Sequence, residues 1–258
     1  MKIISVGDLV GKTGINMLKN NLPKLIKEKN IDFVIVNGEN AADGMGLVEK
    51  QYKEILAAGA NIVTMGNHTW AKKDIFNFIE DEHIIRPANY PEGVPGKGYR
   101  VLNCKNKKIA VINLIGRVTM NVLSENPFLK AKEILKELKV NVNVDLIFID
   151  MHAEATAEKV ALFYYLDGKI TALFGTHTHV QTADEQISKK GTAYITDIGM
   201  TGPKYSIIGM DPNTSIKRFE TALPEKYKIA EGEAMLNACL FDVDDSTNKV
   251  INIERIIL

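Results

Sequence analysis

The sequence predicts an α/β protein: a parallel sheet crossed by helices, with an antiparallel portion near the C-terminal end. Three observations predict it. Short β-rich apolar runs alternate with amphipathic stretches of helical spacing through most of the chain, the pattern of strand, crossover helix and parallel strand. Met235 to Val243 and Lys249 to Ile257 instead alternate apolar and polar residues on either side of Asp244-Asp245-Ser246-Thr247-Asn248, which reads as an antiparallel hairpin. With 258 residues, 45% hydrophobic and 25% charged, and no repeat or linker, the chain can bury a sizeable core as one domain over 1–258.

In chain order, Lys2 to Val6 is the first strand. Gly14 to Lys29 follows as a helix with Leu18, Leu22, Leu25 and Ile26 on its inner face and lysines on its wet face. Asp32 to Val36 is the second strand, Leu47 to Ala58 the second helix closed by Gly59, Asn61 to Met65 the third strand, and Lys72 to Glu80 a further helix. Asn89 to Gly98, rich in proline and glycine, is a loop before the strand pair Tyr99–Leu102 and Lys108–Asn113. After the loop Gly116 to Met120, Pro127 to Lys139 is a helix with proline at its start. Asp145 to Ile149 is a buried strand, Glu154 to Leu166 an amphipathic stretch, and Ile170–Phe174 and Ala193–Thr196 are strands.

Charge narrows the function classes. The 32 basic residues balance 32 acidic ones, so no overall field favours DNA, long RNA or an acidic membrane, and any phosphate must be bound locally. Met1 to Asp8 is too short an apolar stretch for a secretory signal, no run reaches membrane-spanning length, and a cytoplasmic protein is expected. Cys104 and Cys239, without ligand spacing, are expected as buried free thiols.

The chemistry gathers at strand tips. The runs end in Gly7-Asp8, Asn37-Gly38-Glu39-Asn40, Gly66-Asn67-His68, Asp150-Met151-His152 and Gly175-Thr176-His177-Thr178-His179. Carboxyl ends of strands in an open α/β sheet line one crevice, so tips distant in sequence can converge. A His-x-His pair in extended backbone points both imidazoles to one side, a metal-ligand arrangement. Asp, Glu, Asn and His without Cys form a ligand set suited to Mn, Fe or Zn. Plainer roles exist for each residue: Asp8 and Asn67 as helix caps, Glu39 and Asn40 in a turn, His152 in the core, His68 against Trp70, His177 and His179 on the surface. Independent caps and turns, however, have no reason to collect four of the chain's five histidines; His83 reads as surface.

This succession of tips resembles the binuclear metallophosphoesterases, whose general pattern is DxH, GDxxD, GNHD/E, H and GHxH. Val10 stands where the first histidine belongs, Glu39-Asn40 replaces the bridging aspartate region, and Thr69 follows His68 in place of an acid. Those departures are similar to the YmdB-type subfamily, bacterial proteins resembling 2′,3′-cyclic-nucleotide 2′-phosphodiesterases. The likeness runs nearly end to end and includes Gly116-Arg117-Val118 and Asp197-Ile198-Gly199-Met200-Thr201-Gly202-Pro203.

The resemblance implies a four-layer α/β/β/α sandwich of the metallo-dependent phosphatase type and two divalent or mixed-valence metal ions, iron or manganese, with zinc also fitting. Asp8, Glu39, Asn40 and His179 would hold one ion and Glu39, Asn67, His152 and His177 the other, Glu39 bridging. Two dications roughly 3.5–4 Å apart lower the pKa of a shared water for in-line attack on phosphorus. His68, beside Asn67 yet assigned to no metal, would be the general acid or transition-state stabiliser, and Arg117 would contact phosphate or base. The expected reaction opens a 2′,3′-cyclic nucleotide, or another small phosphodiester, to a nucleoside 3′-phosphate, in a protein that self-associates. A non-catalytic metal-dependent regulator would use the same residues. A P-loop NTPase, suggested by Gly7 to Thr13, lacks the first glycine, since Val6 stands there, and would set Asp8 against the phosphates.

Overall fold

A computed structural model describes residues 1–258. Its elements are β1 (Lys2–Val6), β2 (Asp8–Leu9), α1 (Gly11–Lys29), β3 (Phe33–Asn37), α2 (Glu49–Ala57), β4 (Ile62–Thr64), β5 (Ile84–Ile85), β6 (Tyr99–Cys104), β7 (Lys107–Ile115), α3 (Pro127–Asn141), β8 (Leu146–His152), α4 (Thr156–Leu166), β9 (Ala172–Thr176), β10 (Gln186–Ile187), β11 (Ala193–Ile195), β12 (Met200–Pro203), α5 (Pro212–Thr221), β13 (Ala234–Val243) and β14 (Val250–Ile257). They form two sheets. The first runs β2-β12-β13-β1-β3-β4-β5 with β14 on β13, and the second runs β10-β11-β9-β8-β7-β6.

Alternation along each strand builds the layers. Ile3, Phe33, Ile35 and Ile62 from the first sheet meet Ile109, Val111, Phe148 and Phe174 from the second in a core between the sheets. The opposite face of the first sheet, with Ile4, Val6, Val34 and Val36, packs on Leu18 and Leu22 of α1 and Ile55 of α2. The opposite face of the second, with Ala110, Ile112, Ile149 and Leu173, packs on Leu138 of α3 and Leu162 of α4. The result is the four-layer α/β/β/α sandwich of the metallo-dependent phosphatase type. Sheets covered on both faces explain why the central strands read as continuous apolar runs.

The parallel pairings β1–β3, β3–β4, β7–β8, β8–β9 and β9–β11 match the predicted crossovers. The C-terminal hairpin forms as β13–β14, and β13 also lies antiparallel between β1 and β12, so it completes the first sheet. The helix expected over Lys72 to Glu80 is a correction: only a 3-10 turn, Lys73–Asn77, forms. Lys72 supplies no capping bond there, and the Asp74 carboxylate accepts instead from the Glu49 N–H and the Asn77 amide. Helix α5 escaped the periodicity because Ile216 and Phe219 face solvent. Its start was nonetheless written in Asp211-Pro212: Asp211 caps the helix by accepting from the Thr214 N–H at 2.9 Å.

Both cysteines are free; Cys239 is buried between the sheets and Cys104 only half-buried. No helix is long and apolar enough to cross a membrane.

Candidate metal centre

The carboxyl ends of β1, β3 and β4 in one sheet and of β8 and β9 in the other meet along a common edge of the sandwich. The crevice therefore lies between two sheets, not along a single open one. Asp8, Glu39, Asn40, Asn67, His68, His152, His177 and His179 all come together there.

Two groups form around Glu39, whose carboxylate is fully buried. On one side Asp8 Oδ1 lies 3.8 Å from His179 Nε2, and the Asn40 amide nitrogen lies 3.5 Å and 3.1 Å from these two atoms. On the other, His152 Nε2 lies 2.9 Å from Asn67 Oδ1 and 3.1 Å from His177 Nδ1. Glu39 Oε1 reaches both, 3.3 Å from the Asn40 nitrogen and 3.1 Å from His152 Nε2. Ligand atoms of Glu39, His152 and His177 all lie within 4.8 Å of one another. Only glycine fits at Gly66, where a Cβ would stand 2.4 Å from both Glu39 Oε2 and His152 Nε2.

Hydrogen bonds on the far side of each imidazole decide which nitrogen faces inward. Thr176 Oγ1 donates to Asp150 Oδ1 at 2.7 Å, so toward His152 Nδ1, 2.8 Å away, it accepts, and Nδ1 carries the proton. His179 Nδ1 donates to the Ile208 carbonyl at 2.8 Å. On His177 the far nitrogen, Nε2, has the Glu154 carboxylate 3.3 Å away, a neighbour that favours the proton on that side. His152 and His177 thus turn their other nitrogens toward Glu39, and His179 turns Nε2 toward Asp8 and Asn40, the outer-shell arrangement that orients metal-binding histidines. Lone pairs facing a carboxylate and the Asn67 oxygen make a cluster of acceptors, and such a cluster fits a cation.

Without a cation, a proton takes its place at His152: burial alone would raise the Glu39 carboxyl and lower the His152 imidazole, but their contact overrides it, holding Glu39 below the usual carboxylate range and His152 above its ordinary value, so that Nε2 carries a proton which a cation would displace. Burial, then the His152 charge, pushes His177 down to about 3, so it keeps a lone pair through neutral pH. Burial raises the Asp8 carboxyl against the opposing pull of His179 and His152.

Several sequence expectations change in detail. His177 and His179 do not sit in extended backbone; their φ angles are +100° and +65°, because β9 stops at Thr176 and the chain turns immediately. The site holds this strained turn open for both rings. Asp8 caps no helix, since α1 starts after Val10 without a side-chain cap, and its carboxylate accepts from the His177 N–H at 3.2 Å. Gly11 N–H donates to the Asn40 carbonyl, which removes that amide from any phosphate cradle at Gly7 to Thr13. Val10 is buried, and a Cβ on Gly209 would meet its side chain at 2.8 Å. Asn40 points its nitrogen at the acceptors and its oxygen at His68 Nδ1, 2.7 Å away. Arg117 is exposed and stands outside the lining of the cavity over the cluster, with its backbone N–H on the Glu158 carboxylate. His83 lies away from the site, its Nδ1 on the Asn61 carbonyl.

A cavity of about 500 Å³ opens over the cluster. Glu39, His68, His177 and His179 form its floor, and Ile208, Met210, Arg218, Phe219 and Tyr227 from the α5 region form the wall that the sequence reading missed.

Comparison with known proteins follows this geometry. Residues 4–256 match the model of a family described as YmdB-like protein. The chain is 52% identical over 259 residues to a 2′,3′-cyclic-nucleotide 2′-phosphodiesterase of Bacillus subtilis, covering 100% of this chain and 97% of that protein. A solved Mycoplasma pneumoniae structure, titled a novel phosphatase, superposes with a TM-score of 0.94 at 41% identity, covering 100% of this chain and 93% of that one. A hypothetical protein from Thermus thermophilus gives a TM-score of 0.94 at 36% identity, covering 100% and 99%.

Proposed function

Because the chain belongs to the YmdB-like family, we propose that it is a binuclear metal-dependent phosphodiesterase that opens 2′,3′-cyclic nucleotides to nucleoside 3′-phosphates. One observation carries the reading: buried Glu39 stands between two groups of inward-facing imidazole and amide donors. Asp8, Asn40 and His179 would hold one ion and Asn67, His152 and His177 the other, with Glu39 available to both. When bound, the ions supply a nucleophile at neutral pH and offset the charge on the phosphoryl oxygens.

The chain's own groups do the rest. Asn40 serves as a ligand through its oxygen, which needs a half-turn of its amide; amide orientation follows from partners. That turn presents an N–H to His68 Nδ1, leaving the His68 proton on Nε2, in the cavity. Burial lowers the His68 pKa, so this neutral form is the working one. Water attacks phosphorus as the bond to the 2′ oxygen breaks, the proton that water loses passes to the departing 2′ oxygen, and neutral His68 stabilises the charge developing there by donating a hydrogen bond from Nε2–H. The α5 wall accommodates the nucleoside.

The ions are iron or manganese, with zinc also fitting, and the protein acts as a cytoplasmic homo-oligomer of single-domain chains. Elemental analysis of the purified protein beside a product assay on 2′,3′-cyclic AMP tests the reading. Metal together with 3′-AMP supports it; 2′-AMP, or metal-bound protein without turnover, contradicts it. His68→Ala is expected to keep its metal and lose about 10²–10⁴-fold in turnover.

A further inference from the structure

The Asp197 to Pro203 stretch shares the family pattern, yet no step above uses it. Asp197 follows β11 and faces Lys159 of α4, and both side chains are 0% exposed. Lys159 Nζ donates to Asp197 Oδ2 at 2.9 Å and to the Thr176 carbonyl at 2.9 Å. The same carboxylate oxygen accepts from the Thr178 N–H at 3.1 Å, and Oδ1 accepts from the Gly199 N–H at 2.9 Å. The Asp197 N–H donates to Thr182 Oγ1, and the Asp197 carbonyl accepts from the Thr182 N–H, both at 3.0 Å. The turn that carries His177 and His179 is therefore held before, within and after the pair.

Close approach makes this geometry available. A Cβ on Gly175 would lie 1.8 Å from the Thr196 carbonyl and 2.8 Å from Lys159 Cδ, so a glycine in β9 lets Asp197 come under the turn. The next carbonyl but one, Gly199, accepts from the Asp8 N–H at 3.1 Å. Neither Lys159 nor Asp197 lines the cavity. A buried ion pair adds little net stability over apolar side chains of the same volume, but its directional bonds fix the groups around it. Left-handed backbone at two histidines persists only where the surroundings over-determine it.

We propose that Lys159 and Asp197 are positioning residues, a buried clamp that holds the His177-Thr178-His179 turn in its left-handed form and aims both imidazoles at Glu39 before metal arrives. The proposal rests on the reading that these histidines bind metal. Lys159→Met/Asp197→Asn removes both charges while keeping the volume. Relative to wild type it should bind Mn²⁺ about 10–100-fold more weakly, in the range of lost outer-shell support, and shift the visible absorption bands of Co²⁺-loaded protein. In metal-free wild type, hydrogen exchange at the Thr178 amide should be slow. Wild-type Mn²⁺ affinity with an unchanged Co²⁺ spectrum in a folded double variant overturns the clamp, as does rapid Thr178 exchange in the wild type. If the double variant does not fold, the exchange result decides. A wild-type protein that binds no Mn²⁺ overturns the metal reading, and the exchange measurement then judges the clamp alone.

Discussion

Thr176→Val isolates the support of one imidazole while keeping shape. The Thr176 side chain is fully buried, and its hydroxyl makes two bonds, accepting from His152 Nδ1–H at 2.8 Å and donating to Asp150 Oδ1 at 2.7 Å. Valine removes both. His152 keeps a buried donor without a partner, while Asp150, whose carboxyl burial already pushes up, retains only Thr64 and Asn37. One stranded buried group costs about 1–3 kcal/mol. For a chain of this size that lowers Tm by roughly 2–12 °C. A ring free to rotate or change tautomer should also weaken metal binding about 10–100-fold. Thermal melts with and without Mn²⁺, and Mn²⁺ titration by calorimetry, read the two effects separately. A variant that melts with the wild type and binds Mn²⁺ equally well refutes the claim that Thr176 sets the inward nitrogen of His152.

Other predictions follow from the same contacts. Phe241→Ala removes a ring buried between the sheets, edge-on to Phe148 at 5.6 Å between centroids, and should cost about 3–5 kcal/mol in a denaturant melt. Burial raises the Asp184 carboxyl, but hydroxyl bonds from Thr182 and Thr196 and the Thr196 N–H hold it below the ordinary carboxylate value of 3.8. That contribution is present above pH 3.8 and disappears as pH falls through the lowered value, so Asp184→Asn should lower Tm at pH 7 and converge on wild type in strong acid. Chelation should destabilise: at free metal 100-fold above Kd, removal costs about 2.7 kcal/mol, seen as a fall in Tm on adding EDTA.

The site was legible because each candidate residue follows an apolar run, and a strand ending at a sheet edge leaves its next side chains in the crevice. The two sheets were not separable by periodicity, since β3, β8 and β9 are apolar on both faces whichever sheet they join. The turn at His177 and His179 was misread because neither residue is glycine, the usual signal for left-handed backbone. Lys159 and Glu158 were hidden for the opposite reason: charge within an amphipathic stretch ordinarily marks the wet face, yet both are buried here. Thr176 lay in plain sight between Gly175 and His177, but a hydroxyl's partner is a matter of tertiary structure. The α5 wall was lost because its apolar residues line an opening and form no inner stripe.

Anomalous diffraction from crystals grown with Mn²⁺ tests the shared role of Glu39 most directly. Two peaks about 3.5–4 Å apart with the Glu39 carboxylate between them are expected, one beside His179 and the other beside His152 and His177. A single peak, or peaks that leave Glu39 without contact, would contradict it.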